Sequence, residues 1–298
     1  MEPIEMRRKS SGPRPSKGDS GMLRFCLLGA LLFVPVVSTA ADISVGGVSL
    51  QIPSPEGFSP VTPQMAELYE LQKQFVAPTN DEFVTFIPDS EVSTALSGQI
   101  PDMSRRFTVQ TAKSLTDASI STSDFNRLKT FSKAQNDELR KQVDREIPGL
   151  MKKISDGLAE KYDVDLALSA SQMVPLPVHE ESDRTLAHSS LVKYSMNDAV
   201  GNPTSYVVAV TATYVHVKDK VLLLYSYAEE AGLEWSRAAS KQWARDVVLA
   251  NPSDLHGSMK ESPPSGLGMN WSWVAGALVG AIVGPLIVGW AVSRNKAS

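Results

Sequence analysis

The chain has very little cysteine. Among its 298 residues there is one, Cys26, and it lies in an apolar segment near the N-terminus that we predict is removed. A mature chain without a thiol excludes disulfides, thiol catalysis and cysteine-ligated metals. Aromatic residues make up 7% and charged residues 21% of the chain. This is the composition of an ordinary globular protein, and the length allows one large domain or two small ones.

Known sequence motifs of catalytic, nucleotide-binding and metal-binding sites are also missing. The sequence contains no GxSxG, P-loop, dinucleotide-binding, HExxH or EF-hand pattern. The nearest approach to a metal site is His179-Glu180-Glu181 with His188 nine residues later, and zinc needs three or four converging ligands. His216 lies in a predicted strand and has no ligand spacing to the others. The sequence therefore predicts no catalytic residue, no metal site and no cofactor.

Two pairs of acids are the remaining candidates for catalytic carboxylates. Asp163 and Asp165 flank a predicted strand start, and Glu229 and Glu230 flank a predicted helix start. Spacing along the chain does not establish the distance that such pairs need. We interpret them as turn residues and as first-turn acids that favour the helix dipole.

The N-terminal apolar segment is typical of a secretory signal. Phe25 to Val37 is 13 residues long, too short to cross a hydrocarbon core of about 30 Å. Basic residues precede it and small residues follow, which predicts cleavage after Ala40 or Ala41. An uncleaved anchor is the alternative. The polar stretch before the segment is long, so we interpret residues 1–41 as a signal peptide with an upstream extension and a true start at Met22.

A second apolar segment, residues 271–292, has the length of a transmembrane helix. Its 22 residues span about 33 Å as a helix, and tryptophans lie near both ends. A GPI tail is the alternative, but the charges of Arg294 and Lys296 end the apolar run too early. Together with the signal, this helix predicts a single-pass protein of the bacterial inner membrane. Residues 42–256 would form a periplasmic domain, 257–270 a linker and 293–298 a cytoplasmic tail.

Glycines recur every four residues in the predicted transmembrane helix, at Gly276, Gly280 and Gly284. Such a stripe lets a second helix approach closely, so it predicts self-association in the bilayer. The alternative is that glycine is simply common in transmembrane helices.

The part of the chain between the signal peptide and the cytoplasmic tail carries a net negative charge. Residues 42–293 contain 21 Lys and Arg against 30 Asp and Glu, a net charge of -9. Such a surface does not favour nucleic acid or anionic lipid. We therefore expect no nucleic acid among the partners, which would be the bilayer, an unknown envelope protein and, through the transmembrane helix, a second copy of the chain.

Hydrophobic periodicity alternates between strand and helix in the periplasmic domain. Ile43 to Ile52 predicts a hairpin around Gly46-Gly47, and Thr62-Pro63 predicts the start of a helix that runs to Val76. Further strands are predicted at 83–87, 107–111, 164–169, 186–194, 206–217 and 221–227, with helices from Ser123 to Tyr162, interrupted at Pro148, and at 234–249.

This order of elements resembles a known group of folds. An N-terminal hairpin, a long central helix, an antiparallel run ending in VHVKDKVLLLYSYAEE and a last helix around Trp235 and Trp243 are similar to the PsbP and DcrB group. The resemblance implies an α/β/α sandwich, that is, an α+β fold with a mainly antiparallel sheet covered by helices. It also implies a binding or assembly role rather than an enzymatic one.

Two hypotheses on function follow. The first is a non-enzymatic, membrane-anchored binding or assembly module of the bacterial envelope. The second is an envelope hydrolase with an unrecognised site, which a cleft with two buried carboxylates or a buried His–acid pair would favour. The apolar stretches 75–86 and 173–181 are interpreted either as partner-facing edges or as buried crossovers.

Overall fold

The computed structural model describes residues 40–134, 169–197 and 203–252. The strands in these ranges are β1 (Ala40–Val45), β2 (Val48–Pro53), β3 (Phe58–Pro60), β4 (Asn80–Pro88), β5 (Arg106–Ala112), β6 (Ser169–Pro175), β7 (Glu180–Glu181), β8 (Thr185–Asn197), β9 (Pro203–Val217) and β10 (Lys220–Glu229). The α-helices are α1 (Ala66–Lys73), α2 (Val92–Leu96), α3 (Lys113–Thr116), α4 (Thr122–Ala134) and α5 (Leu233–Ala250).

One large sheet organises these elements. Its strand order is β3-β4-β5-β10-β9-β8-β6, with β7 also paired to β8, while β1 and β2 form a separate hairpin. The pairs are antiparallel. The predicted antiparallel sheet is confirmed, since neighbouring strands of similar length and short turns favour this pairing.

The two predicted hairpins have tight turns. Gly46 and Gly47, with φ of 52° and 79°, join β1 to β2. Lys218 and Asp219, with φ of 45° and 58°, join β9 to β10. Positive φ at both central residues matches the right-handed twist of the strands. The prediction had included Lys220 in the second turn, whereas this residue is the first of β10 and pairs with Val217.

Apolar layers cover both faces of the large sheet. On one face α5 and the β1–β2 hairpin pack on β4, β5, β9 and β10 through a cluster that includes Leu50, Phe107 and Trp243. On the other face α1 and α4 contribute Leu68 and Phe125 to a second cluster. The described helices lie on both sides of the sheet, which is consistent with the predicted sandwich.

The predicted helix start at Thr62 is wrong. The Thr62 carbonyl accepts a hydrogen bond from the Met65 amide at 2.9 Å, which closes a turn, and α1 begins at Ala66 and ends at Lys73. The apolar spacing was nevertheless correct, because Met65, Leu68 and Leu71 are buried. The periodicity reports which residues face the sheet, but not where the first helical turn begins.

Stretch 173–181 forms the edge of the sheet, which the sequence analysis did not assign to strands. Strand β6 ends at Pro175, and the Leu176 amide still donates to the Ser189 carbonyl at 2.8 Å. Pairing with β8 resumes at β7. Prolines 175 and 177 have no N–H, so they interrupt the ladder and hide the strand period. Stretch 75–86, by contrast, is a buried connection into β4, with Phe75, Ala77 and Phe86 in the core.

Several predictions fall outside the described residues. These are nearly all of the signal peptide, the linker, the transmembrane helix with its glycines, the cytoplasmic tail, the continuation of α4 over 135–162 and most of the predicted strand 164–169. Among the helices of the described residues, none has the length and apolarity needed to span a bilayer.

Candidate functional site

The two faces of the sheet differ in how their buried polar groups are satisfied. Under α5, hydroxyl groups pair with each other. Ser236 Oγ donates to Thr211 Oγ1 at 2.8 Å, and the Thr213 and Ser240 hydroxyls lie 2.7 Å apart. Small hydroxyl residues let the helix lie close to the sheet with their hydrogen bonds made. This face is well packed and indicates a structural role.

The opposite face, toward α1 and α4, carries buried polar side chains at its centre, and we call it the polar face. The strand register places Tyr227 opposite Arg106 and Tyr225 opposite Thr108. The buried polar and tyrosine side chains on this face include Thr85, Arg106, Thr108, Gln110, His188, Ser190, Tyr225 and Tyr227. A polar row under a helical layer is unusual, because burial of unbonded polar groups costs free energy.

Arg106 is the main charged group of the polar face. Its side chain has 0% exposure, and Nε, Nη1 and Nη2 have no hydrogen-bond partner. The guanidinium carbon lies 4.1 Å from the centroid of the Tyr227 ring. Burial lowers the pKa of Arg106 to about 10, so the group stays charged at neutral pH. Nothing in the sequence singles out this residue, because one arginine just before the predicted strand 107–111 carries no motif.

Glu82 belongs to a hydrogen-bonded chain next to Arg106. Its Oε1 accepts from Thr85 Oγ1 at 3.0 Å and its Oε2 from Gln110 Nε2 at 3.2 Å. Gln110 Oε1 in turn accepts from Asn80 Nδ2 at 2.9 Å. Burial raises the pKa of Glu82, and the charge of Arg106 opposes that shift. Its carboxylate is thus held by neutral donors and makes no ion pair with Arg106.

The histidines show no metal centre. His216 Nε2 lies 2.6 Å from the Ile120 carbonyl, and its ring stacks on Phe125 at 5.1 Å. His188 stacks on Tyr214, and burial together with His179 lowers its pKa to about 4. Across the described ranges there is no group of three His, Cys, Asp or Glu residues suited to a metal. His256 lies outside those ranges.

An open groove of about 490 Å³ lies between the second half of α5 and the β7–β8 turn. Small side chains line it, including Ala187 and Ala244. Its rim carries Leu249, which is 77% exposed. Acidic and basic groups surround it, and Lys241 Nζ bridges to Glu180 Oε2 at 2.6 Å. An apolar side chain flanked by a charged group could be held in such a groove.

The other predicted site residues are not brought together here. Glu229 and Glu230 are exposed, in the turn between β10 and α5. Asp163, Asp165 and the glycine stripe (Gly276, Gly280, Gly284) lie outside the described residues. No hydrogen-bonded His–carboxylate pair occurs in the part of the chain that the structure describes.

Glu91, just before α2, is a partly buried acid whose pKa rises on folding. Its Oε2 accepts a hydrogen bond from the Met103 amide at 3.2 Å. Burial raises the pKa of Glu91 from 4.5 to about 7, and nearby Asp102 adds to the rise. Met103 has a φ of 51°, so this contact holds a loop whose backbone is left-handed.

Replacing Glu91 with glutamine is expected to flatten the pH dependence of stability. A carboxyl whose pKa rises on folding binds its proton more tightly in the folded state, so stability is lost as pH rises from 4.5 toward 7. Urea unfolding at about pH 5 and about pH 7.5 should show a smaller loss in Glu91→Gln than in the native chain. The exposed loop acid Glu56 supplies the control, Glu56→Gln, which should keep the native loss. Equal losses in native chain and Glu91→Gln would contradict the expectation.

No protein-family model matches this chain, and no curated protein matches it. Among solved structures, that of the Saccharomyces cerevisiae Ran-binding protein Mog1p is similar over 72% of this chain and 93% of Mog1p. The sequence identity is 10% and the TM-score is 0.25. At that TM-score most of the two backbones differ, and no property of Mog1p is carried over to this chain.

Proposed function

We propose that this protein is a non-enzymatic binding or assembly module, anchored in the bacterial inner membrane with its folded domain in the periplasm. The groove between α5 and the β7–β8 turn is the observation that carries the proposal. Its occupant would be a segment of an envelope protein that presents an apolar side chain next to an acidic one. The resemblance in element order to the PsbP and DcrB group supports the same role.

The lining of the groove favours a peptide segment of that kind. Leu249 and Val248 offer apolar surface at the rim, while Ala187, Thr213 and Ala244 leave room beneath them. Apolar surface that remains exposed on a folded domain often marks a site of protein interaction.

The charges around the groove favour a partner segment that carries an acidic residue next to its apolar side chain. Glu180 is already paired with Lys241. Arg245 is exposed and also lines the groove. An arginine can hold a carboxylate through two parallel hydrogen bonds, so it would orient the bound segment.

The position of the groove in the chain favours a partner in or at the membrane. Helix α5 ends at Ala250, and the predicted transmembrane helix begins at Trp271. A chain of 20 residues, the number between Ala250 and Trp271, spans roughly 25 Å on average when it behaves as a random coil. A groove at the end of α5 would then stay close to the bilayer surface, where envelope assemblies form.

Site-specific photo-crosslinking in intact cells tests this proposal. A photoreactive residue replaces Leu249 in the groove, and in the control it replaces Leu96, which is 52% exposed on α2. We expect one discrete crosslinked product from position 249, none from position 96, and loss of the product when Arg245→Glu is added. A product that forms equally from both positions, or that survives Arg245→Glu, would overturn the assignment of the groove, as would the absence of any product from position 249.

A further inference from the structure

The polar face contains a buried charge that has no ionic partner among the described residues and whose nearest favourable contact is the Tyr227 side chain. Arg106 is fully buried, and each of its three guanidinium nitrogens lacks a hydrogen bond. The described residues place no carboxylate within 4.0 Å of it. A buried charge without an ion pair is costly, and such a group calls for a specific explanation, of which a bound anion is one.

Two residues near Arg106 also carry buried hydroxyl groups that could donate to a ligand. The hydroxyl groups of Thr108 and Tyr225 are buried without a hydrogen bond, and the register places these two residues opposite each other on adjacent strands, one step along from Arg106. A guanidinium and two hydroxyl groups together offer donors to an anion. Glu82 does not meet this demand, because its oxygens already accept from Thr85 and Gln110.

We infer that the polar face is a binding site for a small organic carboxylate, with the carboxylate on the Arg106 guanidinium and the body of the molecule against the rings of Tyr225 and Tyr227. A planar carboxylate fits the fork of the guanidinium with two parallel hydrogen bonds. One positive charge beside the Glu82 carboxyl suits a monovalent anion better than a dianionic phosphate. The two tyrosine rings, whose centroids are 6.1 Å apart, supply the apolar surface for the rest of the ligand.

Arg105 provides a matched control on the neighbouring residue. Its guanidinium carbon also lies over an aromatic ring, 4.4 Å from the centroid of Trp235. Unlike Arg106, it is exposed, and Trp235 packs with the cluster on the α5 side of the sheet. Removal of this arginine takes away one positive charge and one cation–π contact without touching the polar face.

Thermal unfolding of the full-length protein in detergent, with and without added salts, tests the inference. The probes are sodium benzoate and sodium phosphate, with sodium chloride at the same ionic strength as reference. Binding to the folded state alone stabilises it by RT ln(1 + L/Kd), where L is the free ligand concentration, so Tm rises with the concentration of the ligand. We expect benzoate to raise the Tm of the native chain and of Arg105→Met, phosphate to raise it less, and neither to raise that of Arg106→Met.

Arg106→Lys keeps the positive charge but cannot form the two parallel hydrogen bonds of a guanidinium. It is the variant to measure if Arg106→Met does not fold. Its apparent affinity for benzoate should fall at least about tenfold. Two results would overturn the inference: a benzoate response that persists unchanged in Arg106→Met or Arg106→Lys, and a native chain whose Tm does not respond to benzoate. A larger response to phosphate than to benzoate would overturn the ligand class.

Discussion

Replacing Gly46 with alanine is expected to lower the free energy of unfolding by about 3 kcal/mol or more. Gly46 has a φ of 52°, and a Cβ atom there would lie 2.1 Å from the Thr116 carbonyl oxygen and 2.8 Å from Lys220 Nζ. The carbonyl belongs to the backbone of α3 and cannot move aside alone. Lys220 Nζ donates to the carbonyls of Thr116 and Ala118, both at 2.9 Å. The added methyl group would therefore disturb the contact that joins the hairpin, α3 and β10.

Gly47→Ala is the matched control for this prediction. Gly47 also has a positive φ, 79°, but a Cβ atom there would meet nothing within 4 Å. Its replacement should cost only the backbone strain, about 1 kcal/mol. Urea unfolding followed by circular dichroism measures both variants. Equal losses would show that strain in the turn, and not the close approach of α3, requires Gly46.

Replacing Trp243 with alanine is expected to destabilise the domain by about 4 kcal/mol. Trp243 is 1% exposed and is the large side chain that joins α5 to the sheet and the hairpin. Its ring contacts Phe86 and Phe107 edge-on, at centroid distances of 5.7 and 5.0 Å. Its Nε1 donates to the Pro53 carbonyl at 2.8 Å. Truncation leaves a cavity between three elements and an unsatisfied carbonyl.

Trp243→Phe separates packing from hydrogen bonding. Phenylalanine keeps much of the ring contact but cannot donate to Pro53, so the loss should be about half that of the alanine variant. Unfolding in urea, followed by circular dichroism because the substitution changes the tryptophan fluorescence, gives both values. A loss below about 1 kcal/mol for Trp243→Ala would contradict the packing described here.

Local signals were sufficient for most of the strands. Alternation over 206–217 and 221–227, joined by the three residues 218–220, predicts the β9–β10 hairpin, and Gly46-Gly47 predicts the turn between β1 and β2. Each depends on neighbours along the chain, since side-chain period and turn conformation are local properties. Strand β6 was missed because Pro175 and Pro177 interrupt the period, and its pairing with β8 crosses an irregular connection that carries no turn signal.

The candidate sites could not be predicted in the same way. In β5 the sequence alternates Arg106, Phe107 and Thr108, which by itself indicates one buried and one solvent-facing side of a strand. The alternation correctly places Phe107 on the opposite face of the strand from Arg106 and Thr108. It does not reveal that helices cover both sides, so Arg106 and Thr108 are buried as well. The groove likewise exists only because α5 and the β7–β8 turn meet, more than 40 residues apart in the chain.

The sequence by itself therefore determined the antiparallel strands, their turns and which side chains share a face, because these follow from periods of two and 3.6 residues and from the φ preferences of glycine. Only the tertiary structure decided which of those faces are covered. Burial depends on elements distant in sequence, and the covering of both sides of the sheet is what turns Arg106 from a surface charge into a buried guanidinium without an ionic partner among the described residues.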